Sequence, residues 1–169
     1  MKKRTQGIKN TRTQDVERFL VTEPGKYEYE VIMDKLNSEK DLLGIIKAET
    51  EGDYEINLFS RHEVGKTKCR VEVKGIVSGG ARVKVRGRVK IEKNAVGSDS
   101  FLAMKLLMLD NRSSAVAEPE LEIENNEVKA SHSASVGRID EEQLFYLATR
   151  GVSKSEAEKL IIKGFLGVE

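Results

Sequence analysis

This sequence predicts a mainly-β fold followed by a C-terminal pair of helices, and three observations carry the prediction. Short runs in which apolar and charged residues alternate recur through most of the chain, and period two marks a half-buried strand. Glycines punctuate those runs. The last thirty residues change to helical spacing, with apolar side chains three and four apart. Many short strands separated by glycine indicate a sheet stack, a barrel or a solenoid.

The elements follow in order. Glu28-Tyr29-Glu30-Val31-Ile32 and Tyr54-Glu55-Ile56-Asn57-Leu58 are the first candidate strands. Arg70-Val71-Glu72-Val73-Lys74, Arg82-Val83-Lys84-Val85-Arg86 and Arg88-Val89-Lys90-Ile91-Glu92 alternate most regularly. They are predicted to point Val71, Val73, Val83, Val85, Val89 and Ile91 inward. Gly75, Gly79-Gly80 and Gly87 mark places where the chain bends or bulges. Phe101 to Leu109 is apolar apart from Lys105, which suits a fully buried strand or a short core helix, and periodicity does not separate the two. Met104 and Met108 within it read as core filler. Leu121-Glu122-Ile123-Glu124 repeats the strand pattern, and Val128-Lys129-Ala130-Ser131 is a weaker case.

Helix signals take over at Asp140-Glu141-Glu142-Gln143, an N-cap with Gln at its fourth position. Leu144, Phe145, Leu147 and Ala148 continue a helical stripe, and Gly151 fits its stop. Ser153-Lys154-Ser155-Glu156 is a capping box ahead of Ala157, Leu160, Ile161 and Phe165. Three regions result: a polar N-terminal segment over 1–25, a β core over 26–139 and a helical hairpin over 140–169.

Composition narrows the chemistry. The chain has 169 residues and a formal net charge of +1, from 29 Lys+Arg and 28 Asp+Glu. Charge alone therefore does not indicate duplex DNA as a partner. One cysteine and two histidines exclude a disulfide framework, a zinc finger and a cluster held by four thiolates of one chain. No apolar run is long enough for a membrane helix, and a soluble cytoplasmic protein is the default expectation. No phosphate-binding loop, dinucleotide fingerprint or nucleophile elbow is present, so an enzyme is not expected.

Neutrality hides a pattern. Residues 61–93 hold eleven Lys/Arg and three Glu, and residues 118–127 hold five Glu and no base. The bases alternate with valines, so they belong on the solvent side of strands, where the later glutamates could pair with them across stacked turns. A basic β surface that binds RNA or an acidic protein is the alternative reading. The absence of interleaved aromatic residues makes nucleic acid the weaker partner.

From Gly65 to Leu166 the chain resembles the SufB/SufD family, the β-helical scaffolds of Suf-type iron–sulfur cluster assembly, as a SufD-like short or truncated member. The carrying residues are Val73-Lys74-Gly75-Ile76-Val77-Ser78-Gly79-Gly80-Ala81, Gly87-Arg88-Val89-Lys90-Ile91, Pro119-Glu120-Leu121-Glu122-Ile123 and Val128-Lys129-Ala130-Ser131-His132. Ser135-Val136-Gly137-Arg138-Ile139-Asp140-Glu141-Glu142-Gln143-Leu144-Phe145-Tyr146-Leu147, Arg150-Gly151 and Ile161-Ile162-Lys163-Gly164-Phe165 complete the set. Residues 1–60 match only weakly.

The resemblance implies a short right-handed parallel β-helix with a C-terminal α-helical hairpin. It implies a scaffold that pairs through its β-helix with a SufB-like chain, or with itself as a homodimer in isolation. It also implies docking of a SufC-like ABC ATPase through the C-terminal helices. No cofactor is expected in isolation, and a transient iron–sulfur cluster belongs to a complex. His132 is the candidate cluster or iron ligand by this resemblance, against the plainer reading of a hydrogen-bonded corner histidine. Its flanks Ser131 and Ser133 replace the acids of SufB-like members. The cysteine that accepts sulfur in SufB corresponds to about Ala103, and a methyl group cannot carry a persulfide. A degenerate regulatory paralogue without cluster chemistry is therefore a further reading. His62 and Cys69 do not have ligand-pair spacing, and Cys69 reads as a small strand residue. Leu144, Leu147, Leu160 and Ile161 are expected to cover the last β turn, leaving Tyr146, Ile162 and Phe165 for the partner.

Overall fold

A computed structural model describes the backbone of residues 15–167. Nine strands are followed by two helices: β1 Asp15–Val21, β2 Gly25–Met33, β3 Glu39–Ala48, β4 Gly52–His62, β5 Lys68–Val77, β6 Ala81–Ile91, β7 Asp99–Met108, β8 Ser114–Ile123, β9 Lys129–Arg138, α1 Glu141–Thr149 and α2 Lys154–Leu166. Odd-numbered strands form a five-stranded sheet and even-numbered strands a four-stranded one, each in chain order and each wholly parallel. The chain thus winds as a two-sided β-solenoid in which every strand lies beside the strand two places later. Asp15–Val21 of the segment expected to be polar and N-terminal form β1, which pairs with β3 along its whole length. Residues 1–14 of that segment lie outside the described residues.

Side chains alternate between the lumen and the surface, so parallel registry stacks like on like. Lumen rows such as Leu42–Val71–Leu102 and Ile56–Val85 run up the solenoid. All six side chains expected to point inward are at most 3% exposed. Phe101 to Leu109 is resolved as strand through Met108. Its inward side chains Leu102 and Met104 join the core, while Ala103 and Leu107 on the other face are also buried. Two largely covered faces explain an apolar run broken only by Lys105.

Surface rows of the four-stranded sheet carry the charge. Arg86 lies beside Glu118, Arg88 beside Glu120 and Lys90 beside Glu122, with ion pairs of 2.9, 2.9 and 2.7 Å. Lys84 also reaches Glu118, and Lys90 reaches Glu124. The basic middle and the acidic stretch are therefore neighbours by registry, as the charge pattern anticipated. Exposed pairs contribute little each, but like charges opposite one another would oppose this registry.

Corners are held by short polar contacts between successive coils. Asp110 accepts hydrogen bonds from the amides of Gly79, Arg112 and Ser113. The Ser113 hydroxyl first, and then these amides, hold its carboxyl down to about 2. Gly79 has φ +67°, and a side chain there would strike the Glu49 carbonyl of the preceding coil, so only glycine fits.

Candidate functional site

Two places among the described residues stand out as surfaces for other molecules. The first is the end formed by β8 and β9. Each pairs with one strand only, so each presents an unpaired backbone edge. β9 is almost wholly exposed, and even its lumen row of His132, Ala134 and Val136 faces solvent.

His132 lies in that lumen row, in register with Leu102. Ala103 lies in the next row, beside Glu72 and Ser133. Neighbouring rows point to opposite faces of a sheet, so the position matched to the SufB cysteine and His132 do not face each other within this chain. Ser131 and Ser133 share the outer face of β9. Among the described residues no group of three or more His, Cys, Asp or Glu is arranged to hold a metal ion.

Cys69 points into the core from β5 with no exposed surface, and burial pushes its thiol up to about 12. A thiol so placed is not a nucleophile near neutral pH. Thiol reagents should label Cys69 in the folded protein at least ~100-fold more slowly than in denaturant. Comparable rates, read by mass spectrometry, would contradict this placement.

His62, at the end of β4, occupies a buried polar corner that sequence reasoning missed. Its Nδ1 lies 2.7 Å from the Thr67 hydroxyl, which lies 2.9 Å from that of Ser98 in the next coil. Its Nε2 has no protein partner. Burial lowers the imidazole to about 4, outweighing the opposing field of Asp99, so the ring is neutral at pH 7. Thr67 and Ser98 are recognisable as a pair only once the coil length is known.

The helical hairpin is the second place. α1 is capped by Asp140, whose side chain accepts from the Glu142 amide, and α2 by the expected Ser153–Glu156 capping box. α2 lies on the outer face of the five-stranded sheet. Its Ile162, Phe165 and Leu166 pack with Ile45, Ile76 and Leu109. This corrects the expected orientation. Ile162 and Phe165 are half-buried against the sheet, while Leu160, expected to be covered, is 54% exposed. Tyr146 is exposed as expected, at 58%, beside Phe145 at 73%. α1 rests on α2 and buries no residue fully. No helix among the described residues is long and apolar enough to cross a membrane.

Geometry thus defines a parallel β-solenoid protein with an open end at β8 and β9 and an apolar helical appendage. Residues 7–165 match the family model described as the SUF system FeS cluster assembly SufBD core domain, and the chain belongs to this SufBD family. The match reaches back to residue 7, well before the Gly65 at which the resemblance was legible. Among similar proteins is an iron–sulfur cluster assembly SufBD family protein of Mycobacterium leprae (strain TN), 36% identical over 137 residues, covering 76% of this chain and 35% of that protein. One of Mycobacterium tuberculosis (strain ATCC 25618 / H37Rv) is 35% identical over 137 residues, covering 76% of this chain and 34% of that protein. One of Staphylococcus aureus (strain USA300) is 36% identical over 105 residues, covering 62% and 23%. The chain spans about a third or less of the length of these relatives.

Proposed function

We propose that this chain is a cytoplasmic scaffold component of Suf-type iron–sulfur cluster assembly, and not an enzyme by itself. It pairs with another β-solenoid chain through its open end and docks a SufC-like ABC ATPase through α1 and α2. One observation carries the docking half: Phe145, Tyr146 and Leu160 stand exposed on two short helices that would be marginal without packing partners. Exposed aromatic residues at such a place are the kind that anchor interfaces.

The cluster is cargo. His132 offers one imidazole, a suitable iron ligand, and Cys69 faces the core. The remaining ligands, thiolates above all, come from a partner chain. Ala103 accepts no sulfur. The neutralised Arg/Glu rows of the four-stranded sheet count against the alternative of a basic surface for RNA.

The test is titration calorimetry of the cognate ATPase against the full chain and a Phe145→Glu/Tyr146→Glu variant. Loss of two interface aromatics weakens binding at least ~30-fold, with the far-ultraviolet circular dichroism unchanged. Equal affinity of the two proteins would place the docking surface elsewhere.

A further inference from the structure

One corner of the lumen is polar. Ser60 and His62 sit on the lumen face of β4 and Ser100 on that of β7, and all three are at most 2% exposed. The Ser60 hydroxyl, the Ser100 hydroxyl and Nε2 of His62 are buried without a hydrogen-bond partner among the described residues. A buried polar group left so costs stability, and native proteins satisfy nearly all of them.

The three atoms belong to one place. His62 ends β4, and Ser60 is the next position along the same face of that strand. Around the corner, Thr67 contacts both His62 and Ser98, and Ser100 is the next position on the same face after Ser98. Ser60 and Ser100 therefore flank the imidazole from facing sheets. Thr67 holds Nδ1, which turns Nε2 toward the other side of the ring. Neighbouring coils supply no strong partner. Ser60 stacks between Val31 and Val89, His62 between Met33 and Ile91, and Ser100 between Cys69 and Ala130. The corner is also lined by small side chains. Cys69 and Ser100 stand where the next lumen row has Val71 and Leu102, and Ala95 is buried in the turn ahead of β7.

We propose that one internal water occupies this corner, shared by Nε2 of His62 and the hydroxyls of Ser60 and Ser100. Three partners are the usual number for a buried water, and a polar site lined by small side chains is where one is held. None of the three groups is charged at neutral pH, the ring being kept neutral by its burial, so the site suits water over an ion. Water donates and accepts, and it satisfies either tautomer of the ring. It bridges β4 and β7, which lie in different sheets and do not pair. The lumen thereby gains a hydrogen-bonded tie between its two walls, which are otherwise joined there by apolar contact.

The test uses the full chain. Oxygen-17 relaxation dispersion of the solvent counts long-lived internal waters without interference from hydroxyl protons, and urea unfolding reads stability. Ser60→Ala/Ser100→Ala is expected to lose one long-lived water relative to wild type. Each single variant should lower the urea midpoint, because it strips a partner from a bridged group. The two losses should be non-additive, because both hydroxyls hold one molecule. Should the double variant not fold, the single variants carry the count, each with a shorter residence time for that water. Residence times unchanged in both would overturn the proposal. Raised midpoints with the water count unchanged would mean that the two hydroxyls are unpartnered in the folded protein, and would overturn it. Non-additive serines with the water count unchanged would mean that the side chains bond each other directly, and would overturn it too.

Discussion

Phe19→Ala lowers the free energy of unfolding by about 3–5 kcal/mol, the cost of removing a buried aromatic side chain. Phe19 is 4% exposed, and its ring stacks on Tyr29 of the facing sheet with centroids 3.7 Å apart and planes 13° from parallel. It lies in register with Gly44, and a Cβ at Gly44 would overlap the Phe19 ring. The glycine is therefore the hole that the phenylalanine fills, one coil away. Gly44→Ala in the wild-type background should cost about 1–3 kcal/mol through overpacking. In the Phe19→Ala background the same methyl enters vacated space and should cost nothing or stabilise. Urea unfolding of the four proteins gives the coupling, expected to be at least ~1 kcal/mol. Additive effects would show that the two residues do not share this space.

Acid should unfold the protein in a window set by His62. Its imidazole is neutral in the folded state with a value of about 4, against about 6.5 in an unfolded chain. Between these values the unfolded chain binds more protons, so stability rises with pH. This contribution is complete above about pH 6.5 and disappears as pH falls toward 4. It amounts to about 3 kcal/mol over the window. Asp53, Glu118, Glu122 and Asp110 are held below their ordinary values by their partners, so their contributions are lost at lower pH. Urea midpoints at pH 7.5 and 4.5 should therefore differ far more in wild-type protein than in His62→Leu. Identical pH dependence in the two proteins would mean that His62 titrates normally in the fold.

Much of this architecture is legible locally. Alternation in residues 70–74, 82–86 and 88–92 identifies the lumen valines because a strand's two faces meet different solvents. Ser153 and Glu156 announce α2 because unsatisfied amides at a helix start need acceptors. Phe101–Leu109 stays ambiguous as sequence, since a strand buried on both faces and a core helix share one composition. α2 is apolar at Leu160, Ile161, Ile162, Phe165 and Leu166, which spans more than one face. Nothing in that stripe says that Ile162 and Phe165 meet the sheet while Leu160 faces solvent.

The candidate positions divide in the same way. His132 and Tyr146 could be named from the chain because their motifs are contiguous. The polar contact from His62 through Thr67 to Ser98 could not, because its parts come from two successive coils and only winding brings them together.

By itself, the sequence determined the strands and their inward residues, the helix caps, the family motifs and the absence of an accessible thiol chemistry at Ala103. These depend on side-chain type and on spacing within one element. Tertiary structure alone decided the pairing of every strand with the second one after it, and hence the Arg/Glu rows and the Phe19–Gly44 fit. It decided which face of α2 is covered, and it set Ala103 and His132 on opposite faces of one sheet. Each of these is a relation between residues brought together by winding, and registry across a solenoid is settled by the summed packing of whole coils.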